Sequence, residues 1–176
     1  MCEYCGCRDI PLIGRLSEEH YQAVDALGVL RRVIDADDPP GVGRAVERLR
    51  DELITHNESE EAGLFHELAK DEYFAPTVAE LMTQHRNFRT LLDRIDGGDW
   101  AAYSELEEML RNHIDREENG LFPATAVAVD GDTWEEIDRL THAFNHTHHR
   151  EHAVTEAERL DLERAHPAHR PDGAGS

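Results

Sequence analysis

Positive charge is scarce in this chain. Lys70 is its one lysine among 18 basic residues, and these face 38 acidic ones, for a formal net charge of -20 over 176 residues. Such a balance argues against nucleic acid and anionic membrane surfaces as partners, since both demand a basic face. The arginine bias reads as genomic base composition. Long apolar runs are also missing. None approaches the roughly 20 residues of a membrane-spanning helix, and no charged-then-apolar leader opens the chain, so a cytoplasmic location is expected. Strand-type alternation is absent too. Cysteine is confined to Cys2, Cys5 and Cys7, an odd number spaced too tightly for a disulfide framework. In a reducing compartment C-x-x-C-x-C is a metal or redox element sooner than a staple.

What is present is helical periodicity. The length suits one domain plus tails. Ser17 is a candidate N-cap for a first helix carrying Val24, Leu27 and Leu30, and the DADDPPG segment (35–41) ends it. A second helix is expected over about 42–70, with Val46, Leu49, Leu53, His56, Glu60 and Leu64 at helical spacing. Pro76 opens a third through Leu81, His85, Phe88, Leu92 and Ile95, which stops at Gly97-Gly98. Asp99 caps a fourth through Leu106, Leu110, His113 and Glu117, and Pro123 ends or kinks it. A fifth is expected from Thr133 to about Ala165. The fold class is therefore all-α: an up-down-up-down four-helix bundle with an additional C-terminal helix. The expected organisation is a Cys-containing segment (1–14), the bundle (15–127), a His-rich C-terminal helix (133–165) and a disordered tail (166–176).

One pattern occurs twice. HNESEEAGLF (56–65) and HIDREENGLF (113–122) both read H-x-x-x-E-E-x-G-L-F. Each copy follows an isolated histidine on an upstream helix, His20 for the first and His85 for the second. Residues four apart share a helix face, so His56 pairs with Glu60 and His113 with Glu117. Both pairs fall on the apolar face and point into the bundle. A buried carboxylate without a partner costs on the order of several kcal/mol or protonates, and holding a cation removes that cost. Four imidazoles and two carboxylates suit mixed N/O coordination of iron, manganese or zinc. Carboxylates can bridge two ions, whereas one tetrahedral zinc would use only four of the six. Glu61 and Glu118 read as solvated neighbours, and the Leu-Phe ends as core packing.

These residues resemble the hemerythrin-like family, the HHE cation-binding domains, over about residues 15–125. The resemblance implies a four-helix bundle around two non-haem iron ions joined by an oxo or hydroxo bridge. It makes His20, His56, His85 and His113 the metal-binding histidines, and Glu60 and Glu117 the bridging carboxylates. One departure is plain. Oxygen-carrying members have a further histidine four residues after the third-helix one, and here that position is Arg89. His66 lies ten residues past His56, roughly 80° away around the helix. The site is thus expected to be one protein ligand short unless Glu61 or a tyrosine fills the gap. Open positions favour small-molecule chemistry over protected O2 storage. Ferritin-type sites use Glu-x-x-His pairs, and the one such spacing here, Glu163 to His166, lies in the tail.

The expected function is binding of, or reaction with, O2, peroxide or nitric oxide, including peroxidase- or catalase-like or NO-reactive turnover. The alternative is a non-enzymatic iron or oxygen sensor or carrier that signals through the C-terminal helix or the Cys segment. Zinc or manganese in a structural role is a third reading. At the chain ends, His142, His146, His148, His149 and His152 together with the three cysteines raise a second site for zinc or iron. A solvated polar helix beside a frayed N-terminus is favoured, since neither end has a complete four-ligand spacing. The oligomeric state is open between monomer and dimer.

Overall fold

The computed structural model describes residues 6–147, and their regular structure is helical with no strand among them. A 3-10 turn at Cys7–Asp9 leads into α1 (Pro11–Asp35) and α2 (Pro39–Ala62). The short α3 (Leu64–Leu68) continues α2 past a break, and α4 (Ala75–Asp96) and α5 (Ala102–Arg116) follow. A π-helical turn, Glu117–Leu121, joins α5 to α6 (Phe122–Ala128), and α7 (Gly131–Thr147) comes last. Contacts run α1 to α2, α2 to α4, α4 to α5 and α5 to α1, which closes a four-helix ring. Helix α7 packs outside that ring, against α2 and α3. Among the described residues no helix is long and apolar enough to cross a membrane.

Several helix ends differ from the sequence expectation, each for a local reason. Helix α1 starts at Pro11, six residues before Ser17, because proline's fixed φ and missing N–H suit a first turn and Ile10 before it is extended. Ser17 is a buried residue inside the helix and caps nothing. The two prolines at 39 and 40 open α2 as well as following α1. The expected 42–70 helix is broken at Gly63. Asp99 does not cap α5: its carboxylate takes Arg94 Nε at 3.0 Å, and the N-cap is Ala101. Pro123 sits in the first turn of α6, so the chain stays helical there. The turn before it is widened to π pitch, at the place where its ring would otherwise meet the Asn119 carbonyl. Asp130 Oδ1 accepts the Thr133 N–H at 2.8 Å, so α7 begins close to where it was expected. Its expected continuation beyond 147 lies outside the described residues.

The apolar side chains form two separate clusters. One packs Ala23, Leu27 and Leu30 with Val46, Leu49, Leu53, Phe88, Leu92, Leu106 and Leu110. The other packs Leu12, Ile13 and Leu16 with Leu64, Phe65, Leu81, Leu121, Phe122 and Ile137. On each bundle helix, polar buried residues lie between these clusters: Ser17 and His20, then His56, Asn57, Ser59 and Glu60, then His85, then His113, Glu117 and Glu118. The candidate site is thus a polar layer clamped between two apolar ones. Burying the apolar layers, at roughly 25 cal/mol per Å2, offsets what this layer costs.

Candidate metal centre

Each helix brings its polar residues to the axis by the spacing that placed them on its apolar face. The outcome is two groups of potential metal ligands: His20, His56, Glu60 and Glu117 in one, and Glu60, His85, His113 and Glu117 in the other. Within each group the donor atoms all lie within 4.8 Å of one another, and every residue is buried. Both carboxylates belong to both groups. Glu117 reaches His20 Nε2 at 3.1 Å with Oε2 and His113 Nε2 at 3.3 Å with Oε1. Glu60 Oε2 lies 3.4 Å from His56 Nε2 and 3.6 Å from His85 Nε2.

The other ring nitrogen of every histidine is occupied. Nδ1 of His20 is 2.9 Å from Glu118 Oε1, and Nδ1 of His56 is 2.9 Å from Glu19 Oε2. Nδ1 of His85 is 2.8 Å from Glu61 Oε1, and Nδ1 of His113 is 2.8 Å from Gln84 Oε1. An ionised carboxylate or an amide oxygen only accepts, so each Nδ1 carries the proton and donates it. In the neutral ring Nε2 then presents its lone pair to the axis. The arrangement crosses between halves. Glu118 of the second motif orients His20, and Glu61 of the first orients His85. The aromatic residues cross in the same way: Phe122 stacks on His20 with centroids 5.9 Å apart, and Phe65 on His85 at 5.4 Å. Phe88 meets His113 edge-on at 5.2 Å. The rings are thereby held in orientation from both sides.

The electrostatics show a layer short of positive charge. Burial, then the nearness of Glu117, pushes Glu60 well above the usual carboxylate range. Burial pushes Glu117 up to about 8. Burial and then His85 hold His113 well below the ordinary imidazole value, and burial lowers His85 against the bond to Glu61. His56 goes the other way: burial opposes its charge, but Glu60 and Glu19 outweigh burial. Behind His20, burial works against Glu118 as an anion, yet its bonds to His20 and Arg8 outweigh that and hold it at about 2.

The family model of the hemerythrin HHE cation-binding domain matches residues 12–125. The chain belongs to the hemerythrin HHE cation-binding family. No curated protein and no solved structure matches it. With the buried His/Glu groups, the HHE domain makes this a metal-binding protein.

The residues present fit a cation in three ways. First, both oxygens of Glu60, both of Glu117, and Nε2 of His20 and His56 are buried without a hydrogen-bond partner. Buried polar atoms are nearly always paired, so six orphans in one layer call for an occupant. Second, Nε2 of His85 and Nε2 of His113 face one another at 3.2 Å while both Nδ1 atoms are donors. Two lone pairs so placed repel unless a positive charge lies beside them. Third, imidazole and carboxylate are the donor set of iron, manganese and zinc.

All six sequence-selected residues of the HHE domain come together, and the other candidates go elsewhere. Arg89 turns outward to Glu58 at 2.8 Å. Glu61 is neither solvated filler nor a member of either group, since its oxygen holds His85. Glu118 is likewise no solvated neighbour: it is buried between His20 and Arg8, whose guanidinium it meets at 2.8 Å. Tyr21 neighbours Arg8, Tyr73 is exposed, and Tyr103 points to the Leu27 carbonyl, so none of these hydroxyls joins a group. The side chain of His66 is largely exposed beside Glu67. Neither group includes Cys7, His142 or His146. Cys7 lies in the second apolar cluster, and the two α7 imidazoles have centroids 6.5 Å apart. Cys2, Cys5, His148, His149 and His152 lie outside the described residues. Sequence reasoning missed Glu19, Gln84, Glu118 and Arg8. A signal for the first three was there: each upstream histidine follows a Glu or Gln, and each motif carries a second Glu.

Proposed function

We propose that this HHE protein holds two non-haem iron ions and binds or reacts with O2, peroxide or nitric oxide in the cytoplasm. One observation carries the reading: two groups of four donors share both carboxylates. In this reading His20 and His56 would hold one ion, His85 and His113 the other, and Glu60 and Glu117 would serve both. When bound, the ion pair supplies redox chemistry and open positions for a small ligand. The chain's own residues do the rest. Glu19, Glu61, Gln84 and Glu118 hold the four Nδ1 protons and so keep every Nε2 aimed inward. Phe65, Phe88 and Phe122 wall the layer and limit water. Four protein donors per group leave more room than a group completed by a further histidine, and Arg89, committed to Glu58, does not close it. That supports reaction over protected storage.

The test is metal content per chain by plasma mass spectrometry on protein from iron-replete cells, followed by peroxide and NO assays. Two irons per chain with turnover beyond one equivalent is the expected outcome. Zinc alone, near one per chain, would end the di-iron reading. One contact favours a second reading, a sensor. Gly63, three residues after Glu60, lies directly beneath Thr141 of α7. Occupancy felt at Glu60 would reach α7 through that contact. Stoichiometric binding without turnover, with hydrogen exchange over 131–147 changing on metal loading, would select it.

A further inference from the structure

The two halves place equivalent groups behind their histidines, with one difference in kind. His56 and His113 open the two motif copies. Behind the first stands the carboxylate of Glu19, and behind the second the amide of Gln84, at nearly the same distance. The other two histidines, His20 and His85, both have carboxylates behind them, Glu118 and Glu61. We propose that the two ions are unequal: the one at His20 and His56 binds more tightly and loads first, and Gln84 is the positioning residue that sets this order. The inference rests on the two-ion reading above.

The physical reason is basicity at Nε2. A carboxylate that accepts the Nδ1 proton draws it away and makes Nε2 a stronger donor to a metal. A neutral acceptor does so more weakly, since hydrogen bonds to an ionised partner are about twice as strong. Solvent acts in the same direction. The Glu118 and Glu19 side chains are 3% and 13% exposed, whereas Glu61, the one carboxylate behind the second group, is 33% exposed. Water screens Glu61 most. Two arginines oppose this on the first side, each on the carboxylate oxygen turned away from the histidine, and on the second side Arg89 and Arg116 act against His85 and His113. Arg8 takes the far oxygen of Glu118 and leaves the near one to His20. Arg15 Nε stands 3.7 Å from the Glu19 oxygen that does not face His56. Glu60 and Glu117 serve both groups.

The experiment titrates the metal-free full chain with Co(II), by calorimetry and by NMR of the paramagnetically shifted histidine N–H signals. The expected result is two steps with dissociation constants about tenfold or more apart, the usual span of such outer-shell effects. At one equivalent the shifted signals should belong to His20 and His56. Q84E should tighten the second step and bring the two together. E19Q should weaken the first, and if that variant fails to fold, Q84E alone decides. Equal steps in the native chain, or His85 and His113 loading first, would overturn the inference and leave the two-ion site standing. So would a second step that Q84E does not move. Fewer than two Co(II) bound would sink both readings together.

Discussion

The first motif leaves α-helical geometry at Gly63, whereas the second continues through a π turn from Glu117 to Leu121. Both departures come within three residues of the axial carboxylate. A Cβ on Gly63 would drive into Thr141 Oγ1 and sit 3.0 Å from the Ile137 carbonyl, so the glycine is what lets α7 come close. A Cβ on Gly120 would meet nothing within 4 Å. That glycine instead lines an open cleft of about 510 Å3 with Tyr73, Phe74, Asp115 and Ala124. The same motif letter thus has a packing cause in one half and none of that kind in the other. What the halves do share is the axial geometry: Nε2 inward, Nδ1 capped, and each carboxylate reaching a histidine of both halves.

The largest effect should come from breaking what is shared. In the two-ion reading, E60Q or E117Q removes a carboxylate from both groups at once, so bound metal should fall from two per chain toward zero. H20A touches one group, so one ion should remain. Plasma mass spectrometry with calorimetry reads both. Equal losses for the carboxylate and histidine variants would mean that Glu60 and Glu117 are not shared donors.

Next comes the glycine pair. G63A should destabilise the fold by about 1–3 kcal/mol, the usual cost of forcing atoms into a packed contact, and should loosen α7. G120A should be neutral, or stabilising by about 0.4–1 kcal/mol through the unfolded chain. Urea melts compare them. Similar shifts in the two variants would erase the distinction drawn between the halves.

The pH dependence sharpens the role of the shared carboxylates. In metal-free protein their folded pKa values lie above the unfolded value of 4.5, with Glu117 at about 8. A raised pKa contributes stability that is full below 4.5 and lost as pH rises through the folded value. The lowered pKa values of His85 and His113 act in the opposite sense up to about 6.5, so metal-free protein should lose thermal stability between about pH 6.5 and 8. Loaded protein should hold or gain stability over the same interval, since ligands bind metal deprotonated. Parallel melting curves with and without metal would contradict this.

The six axial residues were legible in the sequence because helical spacing alone puts His56 with Glu60 and His113 with Glu117, and duplication supplies the rest. The residues behind them carried only a faint signal, a Glu or Gln before each upstream histidine and a second Glu in each motif, because Glu19 and Glu118 look like any acidic residue on a chain this acidic. Their role depends on a partner helix: Glu118 finds His20 across 98 positions of sequence. The breaks were hidden for a similar reason. Nothing in the letters distinguishes Gly63 from Gly120, since only α7 does. The α1 start was missed because a serine followed by two glutamates outweighed Pro11, although proline at a first turn is the stronger local constraint.

The smallest expected effect concerns Arg8, whose guanidinium reaches the outer carboxylate Glu118. Arg8 Nη2 holds Glu118 at 2.8 Å, its own pKa is raised because that bond outweighs burial, and Glu118 is held at about 2. A depressed carboxylate contributes stability above its unfolded pKa of 4.5 and loses it as pH falls toward about 2. R8A should raise the folded pKa of Glu118, shrink that acid limb and cost about 1 kcal/mol at neutral pH, since the guanidinium is partly exposed. Acid melts of R8A against the native chain test whether Arg8 stiffens the first half's outer shell. An acid limb unaltered by R8A would show that His20 by itself holds Glu118 ionised.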